Sequence, residues 1–256
     1  MGIVNLTPDS FYDGGTLGSI AQVLNHVEQL LNQGATFVDL GAVSSKPNAK
    51  NVGIEEEKRR LLPVVEKVRE KFPEALLSID TFESSVARAC LEMGAVLIND
   101  ITAGTLDTEM LSVVAEYEAV YVMMHMQGTP QTMQLQPKYD NIVTDLLHYF
   151  SKRIALAHEA GIHDVIVDPG FGFGKTLEHN YALLHHLDQF RRLHCPLMMG
   201  VSRKSMIYKP LQSNAQEALN GTTAVHAWGL QKGVQLLRVH DVKEAKECID
   251  LWQLMR

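Results

Sequence analysis

The chain has 256 residues, 46% of them hydrophobic and 21% charged, and carries a net charge of −7 at neutral pH. That length carries one large core, and that balance excludes disorder. With no long basic run and no apolar stretch of ~18–20 residues, neither a nucleic-acid partner nor a membrane partner is expected.

The first apolar run, 2–5, reads as a strand, and Met1 leads straight into it with no signal-peptide pattern, which points to the cytoplasm. The stretch 19–33 sets Ile20, Val23, Leu24, Val27, Leu30 and Leu31 on one face at helical spacing, with Ser19 as its candidate cap. A strand follows at 36–40. A helix at 54–72 turns Leu61, Leu62, Val65 and Val68 to one side and charge to the other. Strands read at 75–79, 95–99 and 119–124, with Asp107 a candidate cap between the last two. Helices at 142–160, 177–193, 215–231 and 242–254 then alternate with strands at 164–168, 196–200 and 235–239, Asp241 capping the last helix. Cys90, Cys195 and Cys248 are odd in number and in no metal-ligand pattern, which reads as reduced thiols.

Strand and helix signals alternating eight times predict a parallel α/β sheet. A doubly wound open sheet is the rival arrangement. Closure is favoured because the repeats fill the whole length and no Gly-x-Gly-x-x-Gly loop follows the first strand. The expected fold is one (β/α)8 barrel, the TIM-barrel architecture, as a single domain over 1–256. The longest irregular pieces, 6–18, 42–53, 125–141 and 169–175, all follow a strand, and therefore share the catalytic face.

Polar residues stand at the ends of these runs. Asn5 ends the first, Asp80 the third, Asn99 the fourth and Asp168 the sixth, while Ser202-Arg203-Lys204-Ser205 and Arg238-Val239-His240 follow the last two. In a barrel all of them meet at one mouth. Asp80, Asn99 and Asp168 suit a ring that presents amino and amide edges, such as a pterin, because a carboxylate accepts two N–H groups at once. The plain alternative is a network that satisfies backbone groups. Arg238 and His240 lie on one side of a strand and suit a phosphate or pyrophosphate. For Arg203 the plain reading is a salt bridge on the rim, and for Lys204 it is neutralisation of the carboxylates. Asn5 offers an oxygen to Mg²⁺. The stretch from Asp168 to Thr176 resembles a phosphate loop, but the place of its first glycine is taken by Pro169. Its glycines let the backbone approach a flat ligand on which Phe173 stacks. Met123 and Met124, ahead of the segment from His125 to Pro130, read more simply as core. No nucleophile–base pair stands out.

Gly2-Ile3-Val4-Asn5-Leu6-Thr7-Pro8-Asp9-Ser10-Phe11, Ser78-Ile79-Asp80-Thr81, Ile98-Asn99-Asp100-Ile101, Met124-His125-Met126-Gln127-Gly128-Thr129-Pro130, Asp168-Pro169-Gly170-Phe171-Gly172-Phe173-Gly174-Lys175, Gly200-Val201-Ser202-Arg203-Lys204-Ser205 and Arg238-Val239-His240-Asp241-Val242 run the length of the chain. Together they resemble the dihydropteroate synthases of folate biosynthesis. The resemblance implies a homodimeric barrel that condenses 6-hydroxymethyl-7,8-dihydropterin diphosphate with 4-aminobenzoate, giving 7,8-dihydropteroate and pyrophosphate. It implies that Asp80, Asn99, Asp168 and Lys204 hold the pterin, and that Ile101, Met124, Phe173 and Gly200 line its slot. It places the diphosphate on Asn5, Arg238 and His240, with Mg²⁺ near Asn5, and gives catalytic roles to Asp80, Lys204, Arg238 and His240. Ser45, Lys46, Pro47, Phe173 and Ser205 would serve the 4-aminobenzoate and its lids. A short segment normally precedes the first strand in this family.

The second loop departs from the family's Asp-Ile-Gly-Gly-Glu-Ser-Thr-Arg-Pro-Gly. Here Asp39-Leu40-Gly41-Ala42-Val43-Ser44-Ser45-Lys46-Pro47-Asn48 keeps a hydroxyl and a charge, loses a carboxylate at Val43, and replaces a planar fork with Lys46. Two competing readings follow. A pterin-barrel methyltransferase serving a corrinoid would share the pterin contacts, but it needs neither cationic motif. A non-catalytic pterin-binding paralogue draws support only from the altered loop, and release of pyrophosphate separates it from the enzyme.

Overall fold

The structure, a computed structural model, describes residues 1–6, 17–43, 52–129, 132–133 and 137–255. Strands β1 (Gly2–Asn5), β2 (Phe37–Gly41), β3 (Leu76–Asp80), β4 (Leu97–Asp100), β5 (Val120–Met124) and β6 (Val165–Asp168) pair in sequential order, all parallel. Strands β7 (Met198–Met199) and β8 (Leu236–Leu237) pair with each other. Two bridges close the ring. Val167 pairs with Leu197, and Gly2 pairs with Val239. The Val167 N–H donates to Pro196 O at 2.9 Å, and Ile3 N–H to Val239 O at 3.0 Å. The barrel expected from eight alternating runs is therefore closed.

Between the strands run α1 (Leu17–Asn32), α2 (Ile54–Lys71), α3 (Ser84–Glu92), α4 (Met110–Glu116), α5 (Ile142–Glu159), α6 (Leu177–His185), the short α7 (Ser205–Tyr208), α8 (Leu219–Gln231) and α9 (Val242–Leu254). The expected boundaries hold within a few residues, with instructive exceptions. The stretch 177–193 is not one helix: α6 ends at His185, and a 3-10 segment covers Leu187–Leu193. Strands β7 and β8 are shorter than their apolar runs, because β7 meets β6 through a single bridge. Ser19 lies inside α1 rather than at its start. Asp107 accepts from the N–H groups of Ser84 and Glu109, so it anchors the turn before α4 instead of capping it. Asp241 occupies the cap position of α9, but its carboxylate holds Arg203.

Side chains alternate between the two faces of each strand. Val38, Leu77, Ile98, Tyr121, Val167 and Met199 join the large core beneath the helices. Met1, Leu97, Val122 and Met198, with Ile166 and Leu236 packed against them, form a separate apolar plug inside the ring. Two residues further along the same strands, on the same inward face, come Asn99, Met124, Asp168, Gly200 and Arg238. Strand periodicity alone thus stacks a polar layer on an apolar plug. Helix caps secure the frame around it. The Asn141 side chain accepts from the N–H groups of Val143 and Thr144, both at 3.1 Å, at the start of α5. Asn141→Ala is expected to cost about 1 kcal/mol of stability, read by urea unfolding, without loss of the fold.

Candidate active site

The inner floor of the mouth is ionic. Arg238, one residue past β8, donates from Nε to Asp39 Oδ2 at 2.6 Å and from Nη2 to Asp80 Oδ2 at 2.6 Å. Asn99 Nδ2 donates to the same Asp39 oxygen at 3.2 Å, and Ser78 Oγ donates to the other. Burial works against the charged guanidinium, but Asp39 and Asp80 outweigh it and hold Arg238 above its ordinary range. Burial pushes the Asp80 carboxyl up, against the pull of Arg238.

Asp168 and Lys204 stand beside this pair. A Cβ on Gly200 would lie 3.7 Å from Asp168 Oδ2 and 3.9 Å from both Lys204 Nζ and Arg238 Cβ, so these three residues border one small space that glycine leaves open. Asp168 Oδ1 accepts from Gly170 N–H at 2.8 Å, and burial raises its carboxyl. Lys204 Nζ donates to Phe171 O at 2.6 Å and sits 4.6 Å from the centre of the Phe173 ring. Burial lowers Lys204 to about 8, with Asp168 opposing the fall.

Lys175 explains why the glycine-rich turn is no phosphate loop. Its ammonium is buried, 2.9 Å from Phe173 O, 3.1 Å from His125 O and 3.1 Å from His125 Nδ1. These three acceptors tie the turn after β5 to the turn after β6 through its ammonium, which is thereby spent inside the protein. Burial lowers it to about 7. Gly170, at φ +71°, brings the backbone so close to His125 that a Cβ would overlap its carbonyl oxygen.

The remaining expected residues sort by position. Met124 is buried at the end of β5, and Ile101 is buried just past β4. Phe173 is half-buried beside Lys204. Asn5, Ser205 and His240 are exposed. His240 Nδ1 lies 3.1 Å from Ser202 Oγ. Arg203 follows its plain reading, with both arms on Asp241 at 2.8 Å. Ser45, Lys46 and Pro47 lie outside the described residues. Among the described residues no group of three or more His, Cys, Asp or Glu is arranged to hold a metal ion. Among the described residues the exposed amide of Asn5 offers Mg²⁺ one oxygen, which fits an ion that keeps most of its waters and draws on substrate oxygens.

Sequence reasoning passed over Asp39, Ser78, Lys175 and His125. Asp39 carried one signal: a carboxylate in the middle of an apolar strand, at a position facing inward.

The residues 1–240 match the family described as pterin binding enzyme. The chain is 43% identical over 251 residues to the dihydropteroate synthase of Escherichia coli K12, covering 97% of this chain and 88% of that one. It is 41% identical to that of Haemophilus influenzae, covering 99% and 92%. The chain belongs to the dihydropteroate synthase family. These are transferases of folate biosynthesis that join a pterin to 4-aminobenzoate. Solved members superpose closely. A Yersinia pestis dihydropteroate synthase with a sulfonamide drug complex gives a TM-score of 0.93 at 40% identity, covering all of this chain and 93% of that one. The Thermus thermophilus synthase in complex with 4-aminobenzoate gives 0.89 at 38% identity, with coverage of 100% and 93%. In this dihydropteroate synthase family member, Gly170→Ala is expected to destabilise the fold by more than about 2 kcal/mol and to weaken pterin binding, read by denaturant unfolding and calorimetry.

Proposed function

We propose that this mouth condenses 6-hydroxymethyl-7,8-dihydropterin diphosphate with 4-aminobenzoate, releasing pyrophosphate and 7,8-dihydropteroate. The observation that carries the reading is the convergence of Asp168, Lys204 and Arg238 on the space above Gly200, with Asp80 hydrogen-bonded to Arg238. Asp80, Asn99 and Asp168 supply the acceptors for the ring's N–H edges, and Met124, Ile101 and Phe173 supply apolar walls.

The C–O bond to the diphosphate breaks first, its electron pair leaving on oxygen and a cation remaining on the electron-rich pterin. Asp80 and Asp168 lower the energy of that cation. Arg238, aided by Asn5 and His240, takes the charge growing on the departing oxygens. The amine nitrogen of 4-aminobenzoate then forms the new C–N bond and loses a proton. Charges fixed in advance around the reacting atoms contribute most of the acceleration in such a step, and no covalent nucleophile is required. Mg²⁺, bound near Asn5 with the diphosphate, would neutralise part of the leaving group's charge. Phe173, exposed Ser205 and the loop carrying Ser45, Lys46 and Pro47 serve the 4-aminobenzoate.

We further propose a cytoplasmic homodimer. No helix among the described residues is long and apolar enough to cross a membrane. Trp228, Leu251, Leu254 and Met255 leave a large apolar area exposed on and beside α8 and α9, suited to a second copy.

Wild-type protein mixed with the pterin diphosphate, 4-aminobenzoate and Mg²⁺ is expected to release pyrophosphate; pterin binding without release overturns the proposed reaction. Arg238→Ala should slow release by about 10²-fold or more, and unchanged turnover removes Arg238 from the diphosphate. Lys204, held at about 8, carries its proton below that pH and loses it above. Pterin affinity should therefore fall as pH rises through about 8, and calorimetry across roughly pH 6.5–9.5, on both sides of the lowered value, checks this.

A further inference from the structure

Asp39 does not touch the space a substrate can enter, yet it holds two residues that do. Its side chain is fully buried at 0% exposure, in the middle of β2. One oxygen accepts from Ser78, and the other from Arg238 Nε and Asn99 Nδ2. Arg238 divides its guanidinium between this sealed carboxylate and Asp80, whose side chain is 18% exposed. Among the described residues Nη1 of Arg238 has no hydrogen-bond partner, and the arginine side chain is 20% exposed.

We propose that Asp39 is a positioning residue of the condensation: it keeps Arg238 aimed at the leaving group while Asp80 is given over to the pterin. This rests on the reaction proposed above. An N–H edge arriving at Asp80 competes with Nη2 for the same carboxylate oxygens. Without a second anion, Arg238 would either follow Asp80 or remain buried with its charge uncompensated. The grip at Nε comes from the side of the guanidinium nearest the chain, so it fixes the direction of the two terminal nitrogens and leaves Nη1 for a new acceptor.

The same carboxylate sets the pattern of the pterin subsite. Asp39 Oδ2 accepts from Asn99 Nδ2, so the Asn99 amide turns its NH₂ toward it. The Asn99 carbonyl oxygen is then left for the ligand. Asn99 thereby offers that oxygen to a donor on the ring, beside the carboxylates of Asp80 and Asp168.

The test uses Asp39→Asn, which keeps volume and removes the charge. With the wild type first shown to release pyrophosphate, the variant should lose about 10²-fold in kcat/KM, and pyrophosphate should inhibit it about 10-fold less well. A purely structural role would lower the melting temperature and leave the strength of pyrophosphate inhibition unchanged. Wild-type kcat and wild-type pyrophosphate inhibition in Asp39→Asn overturn the proposal. A wild type that binds pterin without releasing pyrophosphate overturns the parent reaction instead.

Should Asp39→Asn fail to fold, Arg238→Met is compared with Asp39→Asn/Arg238→Met, in which both buried charges are removed. Equal residual activities within about threefold support the role, because Asp39 then contributes to turnover through Arg238. A further tenfold loss in the double variant overturns it.

Discussion

A guanidinium shared between two carboxylates sits at the centre of this molecule, and the rest of the site is arranged around it. Arg238 reaches from β8 to Asp39 on β2 and Asp80 on β3, crossing the inside of the ring. Three charges in so small a volume are tolerable only because each is hydrogen-bonded and because the apolar plug of Met1, Leu97, Val122 and Met198 lies separately within the ring. Take away closure of the barrel and the partners separate. The two bridges that join β6 to β7 and β8 to β1 are therefore functional as well as architectural.

Around that pair the protein places one charge of each sign with room between them. Asp168 and Lys204 face the space left by Gly200, and both are desolvated. Desolvation raises the cost of each isolated charge and so sharpens the response to a ligand that satisfies them together. In the proposed reaction a pterin carrying a diphosphate would meet this demand from both ends, its ring offering N–H donors to the carboxylates and its tail offering anionic oxygens to Arg238. The turn after β6 is fastened to the turn after β5 by Lys175, which ties Phe173 O to His125 O.

Much of this was legible in the sequence, for a physical reason. Residues two apart on a strand share a face, so Asn99, Asp168 and Arg238 could be assigned to one mouth as soon as the runs were taken as parallel strands. Asp39 escaped notice because its meaning depends on a partner 199 residues away, and an acidic residue inside an apolar run has no local signature for that pairing. Lys175 was open to the opposite error, avoided because Pro169 stands where a phosphate loop needs its first glycine. In sequence it ends a glycine-rich turn like a phosphate lysine, whereas the fold folds it inward onto two carbonyls and an imidazole. The break between α6 and the 3-10 segment at Leu187–Leu193 was hidden as well, since the apolar spacing continues through His186.

The most direct measurement is a crystal structure of the full chain with a pterin bound. The expected result places the ring within hydrogen-bond reach of Asp80, Asn99 and Asp168, with Arg238 Nε still on Asp39. A ring bound elsewhere, or one seated in the mouth while Arg238 has left Asp39, contradicts the central role given to this ion pair.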